Sequence, residues 1–158
     1  MKKENWKVYA FWIGLSELVG ILAGLLTRGG MQIYTEMVNK PPLTPPAIVF
    51  PIVWTILYAL MGISAARIWL APESAERNRG LTVFVAQLIV NFFWPLFFFN
   101  LQAYGFAALW LIFLWVLVLY MILTFYKTDR LAAWLQVPYL LWLTFAAYLN
   151  LGVWLMNR

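Results

Sequence analysis

The sequence predicts an all-α integral membrane protein, a bundle of five transmembrane helices. Hydrophobic residues fill 65% of the 158 positions and charged residues only 11%, which leaves too little polar surface to cover a soluble globule. Five apolar runs each reach about 20 residues, the length at which a helix crosses a bilayer. These runs lack the polar–apolar alternation of a barrel strand. We therefore expect a single membrane domain over residues 1–158.

The five predicted spans follow one another with short connections. They cover approximately residues 6–26, 47–70, 81–99, 104–126 and 131–156. The first run follows lysines as a signal peptide does, but its apolar residues continue to about Leu26 and no small-residue cleavage pattern follows. We therefore interpret it as a genuine span. Only the connection over residues 27–44 has room for structure of its own, and we expect it to form a lid loop.

A proline-rich elbow connects this lid to the second span. Four prolines between residues 40 and 47 fix φ and bias the residues before them toward extended geometry, so a helix cannot continue through this stretch. We expect Thr44 to cap the second helix, with Pro45 at its first position, where the missing N–H costs nothing. The elbow would then be a rigid helix start.

Positive charge is unequally divided between the two ends of the predicted bundle. Eight basic residues fall on the side of the amino terminus, namely Lys2, Lys3, Lys7, Arg67, Arg77, Arg79, Lys127 and Arg130, and three on the other side, namely Arg28, Lys40 and Arg158. Because Lys and Arg accumulate in cytoplasmic loops, we expect a cytoplasmic amino terminus and an outward-facing lid, in a bacterial cell membrane. The net charge of +5 then reflects topology. We expect no nucleic-acid partner, because no basic stripe is interleaved with exposed aromatic residues.

The sequence contains no histidine and no cysteine. The usual ligands of zinc, haem iron and iron–sulfur clusters are therefore missing, as are catalytic dyads and triads built on these residues. We expect no metal site and no covalently attached cofactor. A tetrapyrrole could still bind as a flat aromatic ligand, with Met and Tyr as formal alternatives for axial ligation.

Three helical faces combine aromatic rings with amides or small residues. They consist of Trp54, Tyr58, Met61 and Ala65 in the second span, Gln87, Asn91, Trp94 and Phe98 in the third, and Tyr139, Trp142, Ala146 and Leu149 in the fifth. We expect Trp54, Trp94 and Trp142 to line a pocket, with core packing as the alternative. For Gln87 and Asn91, a hydrogen bond to a neighbouring helix is an equal alternative. Pro95 and Pro138 should bend their helices.

The first span carries two unusual features. Gly20 and Gly24 form a G-x-x-x-G motif, which serves either dimerisation or, as we favour, close packing within the chain. Glu17 is an acidic residue near mid-span, and such residues are expensive in a membrane and are functional candidates. Protonation, or a hydrogen bond to an amide such as Gln87, would also make it tolerable.

Three sequence blocks resemble those of one protein family. They are Lys40-Pro41-x-x-Thr44-Pro45-Pro46 with Trp54-Thr55-x-x-Tyr58-x-x-Met61-Gly62, then Gln87-Leu88-x-x-Asn91-x-x-Trp94-Pro95-x-x-Phe98-Phe99, and Pro138-Tyr139-x-x-Trp142-x-x-x-Ala146-x-x-Leu149-Asn150-x-x-x-Trp154. Over nearly its whole length the chain is similar to the TspO/MBR family, also called the translocator protein, tryptophan-rich sensory protein or peripheral-type benzodiazepine receptor family.

This resemblance implies a five-helix bundle, often a homodimer, that binds porphyrins such as protoporphyrin IX, sterols in some members, and isoquinoline carboxamides and benzodiazepines. It implies a pocket under the lid, with Tyr34, Pro42 and Pro45 in the lid, Leu149 near the floor, and Trp54, Asn91, Trp94, Trp142 and Ala146 as lining. The helical faces add Tyr58, Gln87 and Phe98. Propionate groups would point to the lid side, toward Arg28 and Lys40. Leu43 stands where many relatives have tryptophan, and the tyrosine and arginine of the animal sterol motif are missing from residues 151–156.

Three function classes follow. The first is a membrane receptor or carrier for tetrapyrroles. The second is a light-dependent porphyrin-degrading enzyme, as reported for some bacterial members, with Trp54 and Trp142 as the catalytic candidates. The third is a small proton-coupled exporter that uses Glu17.

Overall fold

The computed structural model describes residues 3–158 as a bundle of helices. Its elements are α1 (Asn5–Leu26), α2 (Arg28–Met37), α3 (Val49–Leu70), α4 (Ala75–Pro95) with a π-helical turn (Leu96–Asn100), α5 (Tyr104–Tyr126), α6 (Arg130–Leu135) and α7 (Val137–Met156). The π-helical turn continues α4, and α7 continues α6. Five segments of the described chain are therefore long and apolar enough to cross a membrane, which confirms the predicted all-α membrane fold.

The third span begins at Ala75 rather than at residue 81. Its polar first turns hid this start, but Ser74 caps it, since the Ser74 hydroxyl oxygen accepts a 3.1 Å hydrogen bond from the Arg77 N–H. Glu76 in the first turn also complements the helix dipole. The first turns of α4 are therefore polar and precede the apolar run that begins at residue 81.

Helix type or continuity changes at both prolines that predict a bend. After Pro95 the chain forms a π-helical turn, in which the Leu101 N–H donates to the Leu96 carbonyl at 3.0 Å. The fifth span is interrupted at Gln136, and Pro138 lies in the first turn of the segment that follows. Proline cannot donate to the preceding turn, so an interruption at or before it is expected.

The lid is more ordered than a loop. We use the term lid for residues 27–48, and it contains the ten-residue helix α2. Gly29 and Gly30 lie in the first turn of α2. Because glycine has a low helix propensity, the sequence favours a loop here. Gly30 is needed for contact, because a Cβ there would collide with the backbone of Phe99.

The predicted start of the second span at Pro45 is wrong. Helix α3 begins at Val49, and its flanking residue Ile48 makes no side-chain cap. The Thr44 hydroxyl instead donates to the Pro41 carbonyl at 2.7 Å, closing a turn in which Leu43 has a positive φ of 71°. The elbow is therefore held by its own turn and not by a helix cap.

Helices α1 and α3 approach closely at two glycines. A Cβ on Gly62 would collide with the backbone of Ile13, and a Cβ on Gly20 would collide with the ring of Tyr58. One turn further toward the lid, a Cβ on Gly24 would meet nothing within 4 Å. The two helices therefore touch in one half of the bundle and separate beneath the lid.

The opposite end of the bundle is joined by polar contacts. The Arg67 guanidinium donates to the Asp129 carboxylate at 3.0 Å, and the Ser64 hydroxyl donates to the Ala132 carbonyl at 3.0 Å. Asp129 also caps α6 by accepting from the Ala132 N–H at 3.1 Å. These bonds hold α3 against α6 while the lid half stays open.

Replacement of Gly62 by alanine should destabilise the bundle, because the added Cβ would push against the α1 backbone. We expect a loss of about 1–3 kcal/mol, as for other overpacking substitutions. Gly14→Ala is the matched control on α1, since a Cβ there meets nothing within 4 Å. Thermal unfolding in detergent micelles measures both variants, and equal midpoints would contradict the close contact between α1 and α3.

Candidate functional site

A cavity of about 840 Å³ lies under the lid, between the spans. Its volume falls within the range of about 300–1,000 Å³ that is typical of small-molecule sites. It brings together all but two of the residues predicted from the sequence, namely Tyr34, Pro45, Trp54, Tyr58, Asn91, Trp94, Phe98, Trp142, Ala146 and Leu149. The faces of three separate spans therefore converge on one chamber.

Eight of the residues that line the cavity are aromatic. The Trp54 and Tyr58 rings lie 5.5 Å apart on α3, and the Trp94 and Phe98 rings are stacked at 5.0 Å. Trp142 on α7 meets Phe50 edge-on at 5.9 Å. Indoles from three spans therefore line one chamber.

Buried hydrogen bonds close the floor of the cavity. The Tyr58 hydroxyl donates to Asn91 Oδ1 at 2.6 Å, and Asn91 Nδ2 donates to the Tyr139 hydroxyl oxygen at 2.7 Å. Tyr139 in turn donates to Gln87 Oε1 at 2.7 Å. We call Tyr58, Asn91, Tyr139 and Gln87 the floor network. It joins α3, α4 and α7 and leaves Asn91 at the cavity surface.

Two predicted site residues do not line the cavity. Gln87 is fully buried at the far end of the floor network, where its Nε2 approaches Met61 Sδ at 3.9 Å. The alternative of a hydrogen bond to a neighbouring helix therefore describes Gln87. Pro42 is exposed in the lid, and its carbonyl accepts a 2.7 Å hydrogen bond from the Tyr148 hydroxyl. Both residues therefore accept hydrogen bonds from α7 and lie outside the cavity lining.

Trp94 is held in place by a second polar contact. Its indole N–H donates to Asn150 Oδ1 at 3.0 Å, and Asn150 Nδ2 donates to the Tyr104 carbonyl at 2.9 Å. Trp142 differs, because its buried indole N–H has no hydrogen-bond partner within residues 3–158. A hydrogen bond thus fixes the Trp94 indole, whereas the Trp142 indole N–H remains unpaired within residues 3–158.

The lid is fastened to the end of α7. The Asn39 N–H donates to Asn157 Oδ1 at 3.0 Å, and Asn157 Nδ2 donates back to the Asn39 carbonyl at 2.8 Å. The bond from Tyr148 to Pro42 adds a third connection. These contacts hold Tyr34, Lys40 and Pro45 over the cavity.

Lys40 and Tyr34 form the polar part of the roof. Lys40 Nζ donates to the Val38 carbonyl at 2.9 Å and to the Thr35 carbonyl at 3.2 Å, and it lies 5.0 Å from the centre of the Tyr34 ring. Burial, together with the nearby Tyr104, raises the pKa of Tyr34 to about 12. Tyr34 is therefore a neutral phenol at physiological pH, and Lys40 carries the positive charge of the roof.

The charged groups of the lining are few. Glu17 is the one acidic residue and Lys40 the one basic residue among the described residues that line the cavity. Arg28, which was expected beside Lys40, is exposed and does not belong to the lining. The cavity therefore has a basic side chain at the lid and an acidic side chain on α1.

Sequence reasoning missed several lining residues. Phe50 lies one turn before Trp54 on α3, so helical spacing could have identified it. Leu111 and Leu114 come from α5, whose apolar run contains no polar marker of an inner face. Asn150 was noted in a sequence block but was not assigned to the site.

Comparison with known proteins gives a consistent result. The family model described as the TspO/MBR family matches residues 12–155. The chain is 34% identical over 152 residues to tryptophan-rich protein TspO of Chlorobaculum tepidum, covering 94% of each chain. It is 38% identical over 123 residues to protein CrtK of Rhodobacter capsulatus, covering 77% of each. It is 33% identical over 147 residues to the translocator protein of Bos taurus, covering 91% of this chain and 86% of the bovine one. The chain therefore belongs to the TspO/MBR family.

Proposed function

We propose that this protein is a membrane receptor or carrier that binds a flat, hydrophobic tetrapyrrole of the protoporphyrin IX type in the cavity under the lid. The observation that carries the proposal is the convergence of Trp54, Trp94 and Trp142 from three spans on one chamber of about 840 Å³. Such a chamber can take up a flat macrocycle, and it provides no histidine or cysteine to ligate a metal. The tetrapyrrole is then bound as an aromatic ligand.

Burial supplies most of the binding free energy in this proposal. Each 100 Å² of apolar surface removed from water contributes about 2.5 kcal/mol. Stacking on an aromatic ring adds about 0.5–1.5 kcal/mol per pair. The loss of translational and rotational freedom opposes both contributions. Burial therefore drives binding, and the tryptophans mainly set the orientation of the ring.

Lys40 orients the ligand in this proposal. The propionate groups of protoporphyrin are anionic and need water or a cation, and Lys40 is the basic group of the lining. The free indole N–H of Trp142 is a further donor for an acceptor group on the ligand. We therefore place the propionates at the lid and the apolar edge of the macrocycle toward the floor network.

The remaining features of the proposal concern the membrane and assembly. We place the amino terminus in the cytoplasm of a bacterial cell and the lid outside, on the distribution of basic residues. A homodimer is proposed on family membership, as are isoquinoline, benzodiazepine and sterol ligands. The bovine relative is named a translocator protein, which accords with a carrier.

Light-dependent breakdown of the bound porphyrin is the second candidate function. The observation that favours it is that Trp54 and Trp142 both line the cavity, so both indoles would contact an excited macrocycle. In this alternative the two tryptophans are catalytic residues and the protein is an enzyme.

Substitution of Trp54 or Trp142 by alanine should weaken protoporphyrin IX binding by about tenfold or more, because each change removes buried ring surface from the wall. Trp134→Ala is the matched control, since Trp134 is 64% exposed and lies outside the cavity. Titration of the ligand's visible absorbance in detergent gives the dissociation constants. Unchanged affinity in both wall variants would refute the assignment of the cavity.

Substitution of Lys40 by glutamine should weaken protoporphyrin IX but not its dimethyl ester, because the ester has no carboxylate to pair with the lysine. We expect a loss of about fivefold to tenfold for the acid, the effect of one charge-assisted hydrogen bond at a partly exposed site. Arg28→Gln is the control, because Arg28 lies outside the lining. Equal losses for the acid and the ester would contradict the proposed orientation.

Trp54→Phe separates passive binding from photochemistry. If the indole takes part in the breakdown, this variant should retain porphyrin but lose most of the light-dependent decay, since phenylalanine stacks without an indole. Absorbance spectra of illuminated and dark samples at equal ligand occupancy measure the decay. Identical decay in wild type, Trp54→Phe and Trp142→Phe would exclude this candidate.

A further inference from the structure

Glu17 is an unpartnered carboxylate in the wall of the cavity. It lies on α1, nine positions before the end of that helix at Leu26, and therefore about 14 Å along the helix from the lid. It takes part in none of the hydrogen bonds or ion pairs formed within residues 3–158. A carboxylate at this depth, without a donor, is costly.

Tyr58, which packs beside this part of α1, does not serve as its donor. The ring of Tyr58 packs against Gly20, three residues after Glu17 on the same side of α1. However, Tyr58 has a single hydroxyl proton, which it donates to Asn91 Oδ1 at 2.6 Å. The floor network therefore uses the Tyr58 hydroxyl proton, and none of the hydrogen bonds within residues 3–158 reaches Glu17.

The space beside Glu17 remains open toward the lid. Among residues 3–158, nothing lies within 4 Å of a side chain built at Gly24, so there is open space one turn beyond Gly20. Ile21 on α1 and Thr55 on α3 both line the cavity and are exposed. The cavity therefore has an exposed edge at these two residues, and Glu17 lies one turn before Ile21 on α1.

Lys40 and Glu17 give the cavity one basic and one acidic side chain at separate places. Lys40 at the roof suits an anionic group, whereas the carboxyl oxygens of Glu17 suit a hydrogen-bond donor. A flat molecule with a protonated amine or a protonated heterocyclic nitrogen would supply the missing donor and the compensating charge together.

We propose that the cavity also binds flat aromatic cations, with Glu17 as the residue that selects them. This inference rests on the cavity of the proposed function, but it does not require that a tetrapyrrole binds there. The cation lies with its rings between the wall tryptophans and its N–H group at Glu17, and it reaches the site from the bilayer between α1 and α3. Glu17 therefore decides between cationic and neutral molecules of the same shape.

The test compares two probes with the same three-ring frame, cationic 9-aminoacridine and neutral anthracene. The full chain is placed in nanodiscs of zwitterionic phosphatidylcholine, so that the lipid does not attract the cation. We expect Glu17→Gln to weaken 9-aminoacridine by about tenfold or more, the effect of losing one charge-assisted bond, and to leave anthracene unchanged. Fluorescence titration gives both dissociation constants.

Three further variants keep the result interpretable. Glu17→Asp retains the charge and should preserve part of the preference for the cation. Glu36→Gln removes an exposed carboxylate outside the lining and should change nothing. Lys40→Gln removes the basic side chain of the lining and should not weaken 9-aminoacridine. Equal losses for both probes in Glu17→Gln, or unchanged binding of the cation, would overturn the proposal.

Protoporphyrin IX distinguishes this inference from the proposed function. Glu17→Gln should bind the dianionic porphyrin at least as tightly as wild type does, because the substitution removes a like charge from the cavity. Failure of wild type to bind the porphyrin, with selective binding of 9-aminoacridine retained, would refute the proposed function alone. Porphyrin binding without any preference for the cation would refute the inference alone.

Discussion

The floor network is the constraint on which the rest of the structure depends. Tyr58, Asn91, Tyr139 and Gln87 come from three spans and satisfy one another by hydrogen bonds of 2.6–2.7 Å. In a membrane, a buried polar group without a partner is costly, so each of these helices must turn its polar face to the same point. Any rotation of α3, α4 or α7 would break bonds that water cannot replace.

The same rotation sets the composition of the cavity. Trp54 lies one turn from Tyr58, and Trp94 lies one turn from Asn91, on the same faces of α3 and α4. Trp142 follows Tyr139 on α7 in the same way. The floor network therefore fixes the helix rotation that turns Trp54, Trp94 and Trp142 toward the cavity above it.

Close packing in one half of the bundle allows an open chamber in the other. Gly62 and Gly20 let α1 and α3 touch at the level of the floor, whereas Gly24 faces empty space beneath the lid. The lid spans this gap because Asn157 and Tyr148 hold it to α7. Since the contact and the gap lie on the same helix pair, close packing and open space occupy different turns of α1.

Much of this architecture follows from local patterns, and the differences have identifiable causes. Helical spacing predicts that Trp54, Asn91 and Trp142 lie on inner faces, because the residues that share a face are determined by the period of a single helix. Thr44 directly precedes Pro45, which predicts a cap, but α3 begins only at Val49, and the Thr44 hydroxyl donates to the Pro41 carbonyl. Gln87 shares a face with Asn91 and was placed in the site, yet its depth below the cavity depends on Tyr139, a residue 52 positions away.

The sequence by itself determined the membrane setting, the five spans and the residues that face inward, because hydropathy and helical period are encoded within each segment. Only the tertiary structure decided which inward residues meet a cavity and which meet each other. It also decided that Lys40 is in the lining while Arg28 is not, and that Glu17 receives no hydrogen bond from any residue in 3–158. The physical reason is that a hydrogen bond or a void belongs to a pair of helices, and its position depends on how their faces come into register.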